Sequence, residues 1–205
     1  MDERSYENLL NIKTSGLREW SSLTTQYSRY EPTSYAVLEE LLENFAFKKG
    51  DHLVDFGSGR GRVAFFLNYK LNLPIVGIEA NELTYGEAMN NLYTYKRKHS
   101  KKNAPINFKL AFAENYRIKK DQNIFYFFNP FTKRIFKKVV SNILKSYKRH
   151  PRDINLIIYY PLEDYGEFLE EKTNFILANS FTIPGFKDNY QKILVYKLHK
   201  LTEEE

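Results

Sequence analysis

Apolar residues recur at helical spacing over residues 34–47, where Tyr35, Val37, Leu38, Leu41, Leu42 and Phe45 share one face, with Thr33 or Ser34 placed to cap the helix. A polar turn, Lys48-Lys49-Gly50-Asp51, separates this segment from a short apolar run over 52–56 that reads as a buried strand. Strand and helix then alternate. Residues 62–69 predict a helix, 74–78 a strand closed by Glu79, and 84–99 a helix with Tyr85, Ala88, Met89, Leu92 and Tyr95 along one side. Strands follow over 106–111 and 123–128, then a helix over 131–148 whose stripe is Ile135, Phe136, Val139, Val140, Ile143 and Leu144. Residues 154–160 are β-branched and aromatic, residues 165–172 carry a short helical pattern, and 174–182 and 190–199 read as two strands able to pair as an antiparallel hairpin across the loop 184–189. Residues 1–30 read as polar and irregular, a cap or lid segment with Trp20 as its anchor, ahead of one domain spanning 31–205.

Repeated strand–helix alternation predicts an α/β fold, a mostly parallel sheet with helices on both faces, whose ligands sit at the carboxyl ends of the strands. The length of 205 residues suits one core. Cysteine is absent, which excludes a disulfide framework, a thiolate metal site and a cysteine nucleophile. The charged start, Met1-Asp2-Glu3-Arg4, lacks the order of a signal peptide, and the longest apolar runs fall far short of the ~20 residues of a membrane helix. The expected setting is therefore the cytoplasm, with no membrane partner. The net charge of +6 is unevenly spread. Cations crowd into 96–102 and 133–149, and acids into 39–43, 163–171 and 203–205. Those basic segments suit a nucleic acid or an acidic protein surface, and equally a solvated helix face.

The most informative stretch is Val54-Asp55-Phe56-Gly57-Ser58-Gly59-Arg60-Gly61, a strand running into three alternate glycines ahead of a helix. Glu79 ends the next strand, twenty residues after Gly59, a spacing that suits a carboxylate on ribose hydroxyls. A dinucleotide fingerprint needs a third glycine where Arg62 stands. Asp55 would repel a pyrophosphate and face a cationic ligand favourably. A sulfonium nucleoside with an α-amino group and no phosphate meets those conditions.

On these residues the chain resembles the class I S-adenosylmethionine-dependent methyltransferases, over roughly residues 30–158. The resemblance implies a Rossmann-like seven-stranded sheet with an antiparallel last strand and S-adenosylmethionine as cofactor. By it, Asp55 and the backbone of Gly57, Ser58, Gly59 and Gly61 hold the methionine part. Glu79, with its neighbour Ala80, holds the ribose, and Glu114 lies near the adenine amine. Phe127-Phe128-Asn129-Pro130-Phe131 is similar to the Asn/Asp-Pro-Pro-aromatic motif of methyltransferases acting on exocyclic amines, although only one proline is present. The likeness implies that the Asn129 amide and the Pro130 carbonyl accept hydrogen bonds from an exocyclic amine and that Phe131 stacks on the base that carries it. Single-proline Asn-Pro-Phe segments also occur in relatives that modify protein side chains. Tyr30-Glu31-Pro32-Thr33 is similar to the segment that Dot1-type methyltransferases place in the cofactor pocket, which implies a role there for Tyr30 and Thr33.

The four histidines, His52, His99, His150 and His199, show no metal-ligand spacing, so no metal is expected. The first expectation is therefore a methyltransferase acting on a nitrogen nucleophile of a protein side chain or a nucleic-acid base. The alternatives are an NAD-type oxidoreductase, opposed by Asp55 and Arg62, and a non-catalytic protein that binds RNA or another partner with this fold.

Overall fold

The computed structural model describes residues 1–18, 26–161, 163–186 and 188–199. Trp20 and the acids 203–205 lie outside the described residues. The elements in chain order are α1 (Glu3–Leu10), α2 (Tyr35–Asn44), β1 (Leu53–Phe56), α3 (Arg62–Leu71), β2 (Ile75–Glu79), α4 (Glu82–Lys98), β3 (Ile106–Leu110), a 3-10 turn (Ala113–Asn115), β4 (Ile124–Phe128), α5 (Lys133–Arg149), β5 (Asn155–Tyr159), α6 (Glu163–Lys172), β6 (Phe175–Thr182) and β7 (Lys192–Leu198). The seven strands form one sheet of order β3-β2-β1-β4-β5-β7-β6. β1 to β5 are parallel, and β7 inserts antiparallel between β5 and β6. This is the Rossmann-like α/β sheet expected, with its antiparallel C-terminal pair.

Alternation along each strand sorts side chains to two faces. Leu53, Ile75, Ile124 and Ile157 pack with α1 to α4. Val54, Phe56, Phe125, Phe127, Leu156 and Ile158 pack with α5 and α6. The stripe predicted for α5 is the buried one: Phe136, Val139, Val140 and Ile143 are fully buried. Each such side chain contributes roughly 1.5–3 kcal/mol of burial, enough to seat a helix whose other face is nearly all lysine and arginine. Ser34 caps α2, its Oγ accepting from the Val37 N–H at 3.4 Å. Asn81 caps α4, so that helix starts at Glu82, two residues before the expected Thr84.

The first residues depart from expectation. The segment read as irregular contains α1, capped by Asp2, whose Oδ1 accepts from the Ser5 N–H at 2.7 Å, and ended by Asn11 in the left-handed region at φ 56°. Only Tyr6 and Leu10 of this helix are buried. They stand four residues apart among polar neighbours, a stripe too thin to register as a period. With Ile12 they enter the same core as α2 and α3. No described helix is long and apolar enough to cross a membrane.

Candidate functional site

The strand order reverses between β1 and β4, and a crevice opens there at the carboxyl ends. Asp55 stands on β1 between Gly77 of β2 and Tyr126 of β4. Its carboxyl is buried, and Oδ2 has no hydrogen-bond partner. Burial, and then the neighbouring charge of Glu79, push its pKa up to about 8, so the group holds a proton at neutral pH. Glu79 ends β2, and its own pKa is raised by burial against the opposing pull of backbone donors. Those donors include the Asn81 N–H, on Oε1 at 2.7 Å, and the Gly59 N–H, on Oε2 at 2.8 Å, with the Ala80 N–H beside them. The carboxylate expected to receive a ribose thus also holds the glycine loop in shape.

Two distant segments close on that loop. Gly59, at φ +54°, lies against the ring of Tyr30, which fills the space a Cβ would need. The guanidinium of Arg60 sits 4.7 Å from the same ring. Tyr30 is fixed by reciprocal backbone bonds with Arg18 at 3.1 and 2.9 Å, and its hydroxyl donates to the Thr14 carbonyl. Burial raises the Tyr30 pKa, so this phenol stays a donor. Thr33 reaches the Tyr126 hydroxyl at 3.1 Å.

Arg62 binds these pieces together. It opens α3, is 4% exposed, and lies 4.5 Å from the Tyr35 ring. Its Nε donates to Thr14 Oγ1 at 2.7 Å, Nη1 to the Thr33 carbonyl at 3.1 Å and to Glu3, and Nη2 to Glu7 at 3.4 Å. The residue that breaks the dinucleotide fingerprint therefore stands in the wall of the crevice and fastens α1 and the Tyr30–Thr33 segment to the sheet.

The crevice, about 780 Å³ with its open mouth, is lined by Tyr30, Thr33, Asp55, Gly57, Ser58, Glu79, Ala80 and Pro130 among the predicted residues. Gly59 and Gly61 lie behind this lining. Glu114 is set back too: its carboxylate accepts from the Tyr27 hydroxyl at 2.6 Å, and Tyr27 is the group that faces the crevice. Tyr27, Tyr126 and Arg62 were not singled out for the site from sequence. Arg62 alone carried a legible signal, a charge at the head of the apolar run Val63-Ala64-Phe65-Phe66-Leu67.

The Asn129-Pro130-Phe131 segment needs one correction, at Phe131. The Pro130 carbonyl accepts from the Ser28 N–H at 3.0 Å, which leaves it one lone pair. Phe131 is 1% exposed, packed edge-on to Tyr27 and Phe127, with no open face for a substrate. Both follow from the Tyr27–Phe131 bridge, a long-range pairing that gives the N-terminal segment Pro130 and Phe131 as partners. Asn129 is different. It adopts φ +39°, and its buried Oδ1 has no partner. It lines a second cavity, beside Phe128, Tyr160 and Gln191, which shares Ser28, Arg29, Glu31 and Phe128 with the first.

Two of the histidines bond to neighbouring segments, His52 Nδ1 lying 3.0 Å from Asp121 and His99 Nε2 3.0 Å from the Leu9 carbonyl, while His150 and His199 are exposed. Crossover helices run antiparallel to the strands they join. The basic last turns of α4 (Lys96, Arg97, Lys98) and α5 (Lys148, Arg149) therefore lie at the opposite end of the sheet from this site.

The site suits a nucleoside with a cationic tail. Asp55 Oδ2 and Ser58 Oγ are buried polar atoms without partners, and the carboxyl of Glu79 stands at the end of the adjoining strand. No protein-family model and no curated protein matches the chain. Solved structures do. An RNA methyltransferase from Salinibacter ruber in complex with S-adenosyl-L-homocysteine superposes at a TM-score of 0.58 and 14% identity, over 85% of this chain and 98% of that one. Sp1610 of Streptococcus pneumoniae, a putative tRNA (m1A22) methyltransferase, matches at 0.55 and 16%, over 81% and 72%. The tRNA (uracil-54, C5)-methyltransferase of Pyrococcus abyssi matches at 0.53 and 16%, over 81% of this chain but only 38% of its own length. The chain has the fold of the class I S-adenosylmethionine-dependent methyltransferases.

Proposed function

We propose that this protein transfers the methyl group of S-adenosylmethionine to a nitrogen nucleophile. One observation carries the reading. Three buried polar atoms without partners, Asp55 Oδ2, Ser58 Oγ and Asn129 Oδ1, gather about two joined cavities at the topological switch point. Buried polar groups are normally paired, and orphans clustered in a cleft mark where a ligand supplies the missing partner.

When bound, the cofactor supplies a methyl group made electrophilic by its sulfonium. The chain's own residues do the rest. Asp55 gives up its proton and meets the cofactor's ammonium as a carboxylate, an attraction strengthened by the water-poor surroundings. Ser58 offers its hydroxyl to the same tail, and Glu79 receives ribose hydroxyls with the lone pairs its backbone donors leave free. Asn129 Oδ1 accepts an N–H of the acceptor and holds the nitrogen lone pair on line. Such alignment is the main contribution required, because methyl transfer from a sulfonium is intrinsically favourable.

Calorimetry with S-adenosylhomocysteine and with NAD tests the cofactor. The homocysteine nucleoside binds and NAD does not; the reverse result overturns the reading. Transfer of labelled methyl from the cofactor into fractionated RNA, protein and small molecules then tests the nitrogen, which is identified by the product's stability to acid and base.

A further inference from the structure

Asn129 and Tyr160 stand at the carboxyl ends of adjacent strands, each one residue past the registered pair Phe128 and Tyr159. Both take left-handed backbone, at φ 39° and φ 53°. For a residue as bulky as tyrosine this conformation is strained, and strain of this kind gathers at functional sites. Its effect here is to turn two neighbouring strand ends onto the second cavity.

Two aromatic rings, Phe128 and Tyr160, line that cavity beside the polar Ser28, Arg29, Glu31, Asn129 and Gln191, and further rings stand behind them. Phe128 lies 4.5 Å from Tyr159 and 6.4 Å from Tyr160, ring centre to ring centre, and Tyr160 lies 5.7 Å from Tyr190. Carboxylates flank this row. Glu31 lines the cavity, and Asp188 accepts a hydrogen bond from the Tyr160 phenol. Arg29 lines the cavity as well, 3.4 Å from Glu31. Ring faces and carboxylates attract the same kind of group, a cation on an apolar stem, and carboxylates at the entrance disfavour a phosphate. The basic last turns of α4 and α5, at the far end of the sheet, do not offset that repulsion at this mouth.

We propose that the second cavity binds the methyl acceptor as a protonated alkylamine, free or as a lysine side chain, with its stem along Phe128 and Tyr160 and its nitrogen at Asn129 Oδ1. This rests on the methyl-transfer reading above. The bound ammonium loses one proton to water before its lone pair becomes available.

The test titrates the full chain, saturated with S-adenosylhomocysteine, with n-butylamine, n-butanol and adenosine, following the tyrosine ring resonances by NMR. Butylamine is expected to shift them with at least tenfold higher affinity than butanol, its uncharged counterpart. Tyr160→Leu and Asp188→Asn each weaken that binding at least tenfold and leave S-adenosylhomocysteine affinity within twofold. Asp188→Asn, at an exposed position, keeps the test valid if Tyr160→Leu fails to fold. Equal affinities for butanol and butylamine, or adenosine binding at these rings in place of the amine, overturn the assignment. Failure of S-adenosylhomocysteine to bind overturns the parent reading instead. Labelled-methyl transfer to a free diamine and to a lysine-rich peptide separates the two sources of the amine; labelling of RNA bases with both amines inert rejects this proposal and leaves the methyltransferase standing.

Discussion

A Cβ built on Gly57 would stand 2.5 Å from the Cβ of Pro130, so the exit of β1 and the exit of β4 touch with no room for a side chain between them. The contact joins the two most telling motifs of the chain. It places the glycine loop one residue from Asn129.

Gly57→Ala is therefore expected to be costly twice over. Its φ of +77° disfavours any side chain, and the new methyl must displace the Pro130 ring, which the Ser28 N–H and the Tyr27–Phe131 bridge hold in place. Strain and overpacking together cost about 2–4 kcal/mol. Thermal unfolding with and without S-adenosylhomocysteine checks this; a wild-type midpoint with full ligand stabilisation would contradict it.

Asp55→Asn should raise stability and lower affinity together. The Asp55 pKa is raised from 3.8 to about 8 by burial and by Glu79. Between those values the folded state keeps a proton that the unfolded state has released. Stability therefore falls as pH climbs through that window, and the burden is absent below it. An amide cannot ionise, so the variant gains on the order of 1–3 kcal/mol near pH 8 and nothing near pH 4, while cofactor affinity drops at least tenfold. Denaturant midpoints at the two pH values, with calorimetry beside them, decide it.

Cofactor binding should release a proton below pH 8. Ligand-free Asp55 is protonated there, and a bound ammonium favours the carboxylate. Calorimetric titrations at pH 7 in buffers of different ionisation enthalpy should give about one proton released, and affinity should rise from pH 6 toward pH 8. Proton uptake, or no exchange, would show that Asp55 does not face the cationic end.

Arg62→Ala should unfasten the N-terminal helix. Removal of this guanidinium strands Glu7, Thr14 and the Thr33 carbonyl around a buried gap. Breaking such a buried network costs about 3–5 kcal/mol. Hydrogen exchange should report faster opening of α1 and of the segment 30–33 than of β1 or β4. Uniform loosening of the whole sheet would indicate a general packing defect instead.

Asn129→Ala is expected to leave S-adenosylhomocysteine affinity within about twofold and to lower the methyl-transfer rate at least 10²-fold, the scale of a lost positioning group. Equal losses of binding and rate would place Asn129 in the cofactor cleft instead of the acceptor cavity.

The sheet was legible because its causes are local. Periods of 2 and 3.6, caps such as Ser34, and glycines between a strand and a helix are set by neighbours within a few residues, so the alternation from Tyr35 to Leu198 could be read directly. The same holds for Asp55, Gly57, Ser58 and Glu79, whose spacing is dictated by one strand–loop–helix–strand unit. Contacts between segments far apart in sequence were not legible. The pairing of Tyr27 with Phe131 took the Phe131 ring out of the acceptor site, and nothing near residue 130 announces it. Likewise α1 exists because Tyr6 and Leu10 find the sheet's helical face and Glu3 finds Arg62, 59 residues away. Local preference settles which elements form; which surfaces they leave open is settled by packing between distant segments, because burial depends on neighbours that only the closed chain brings together.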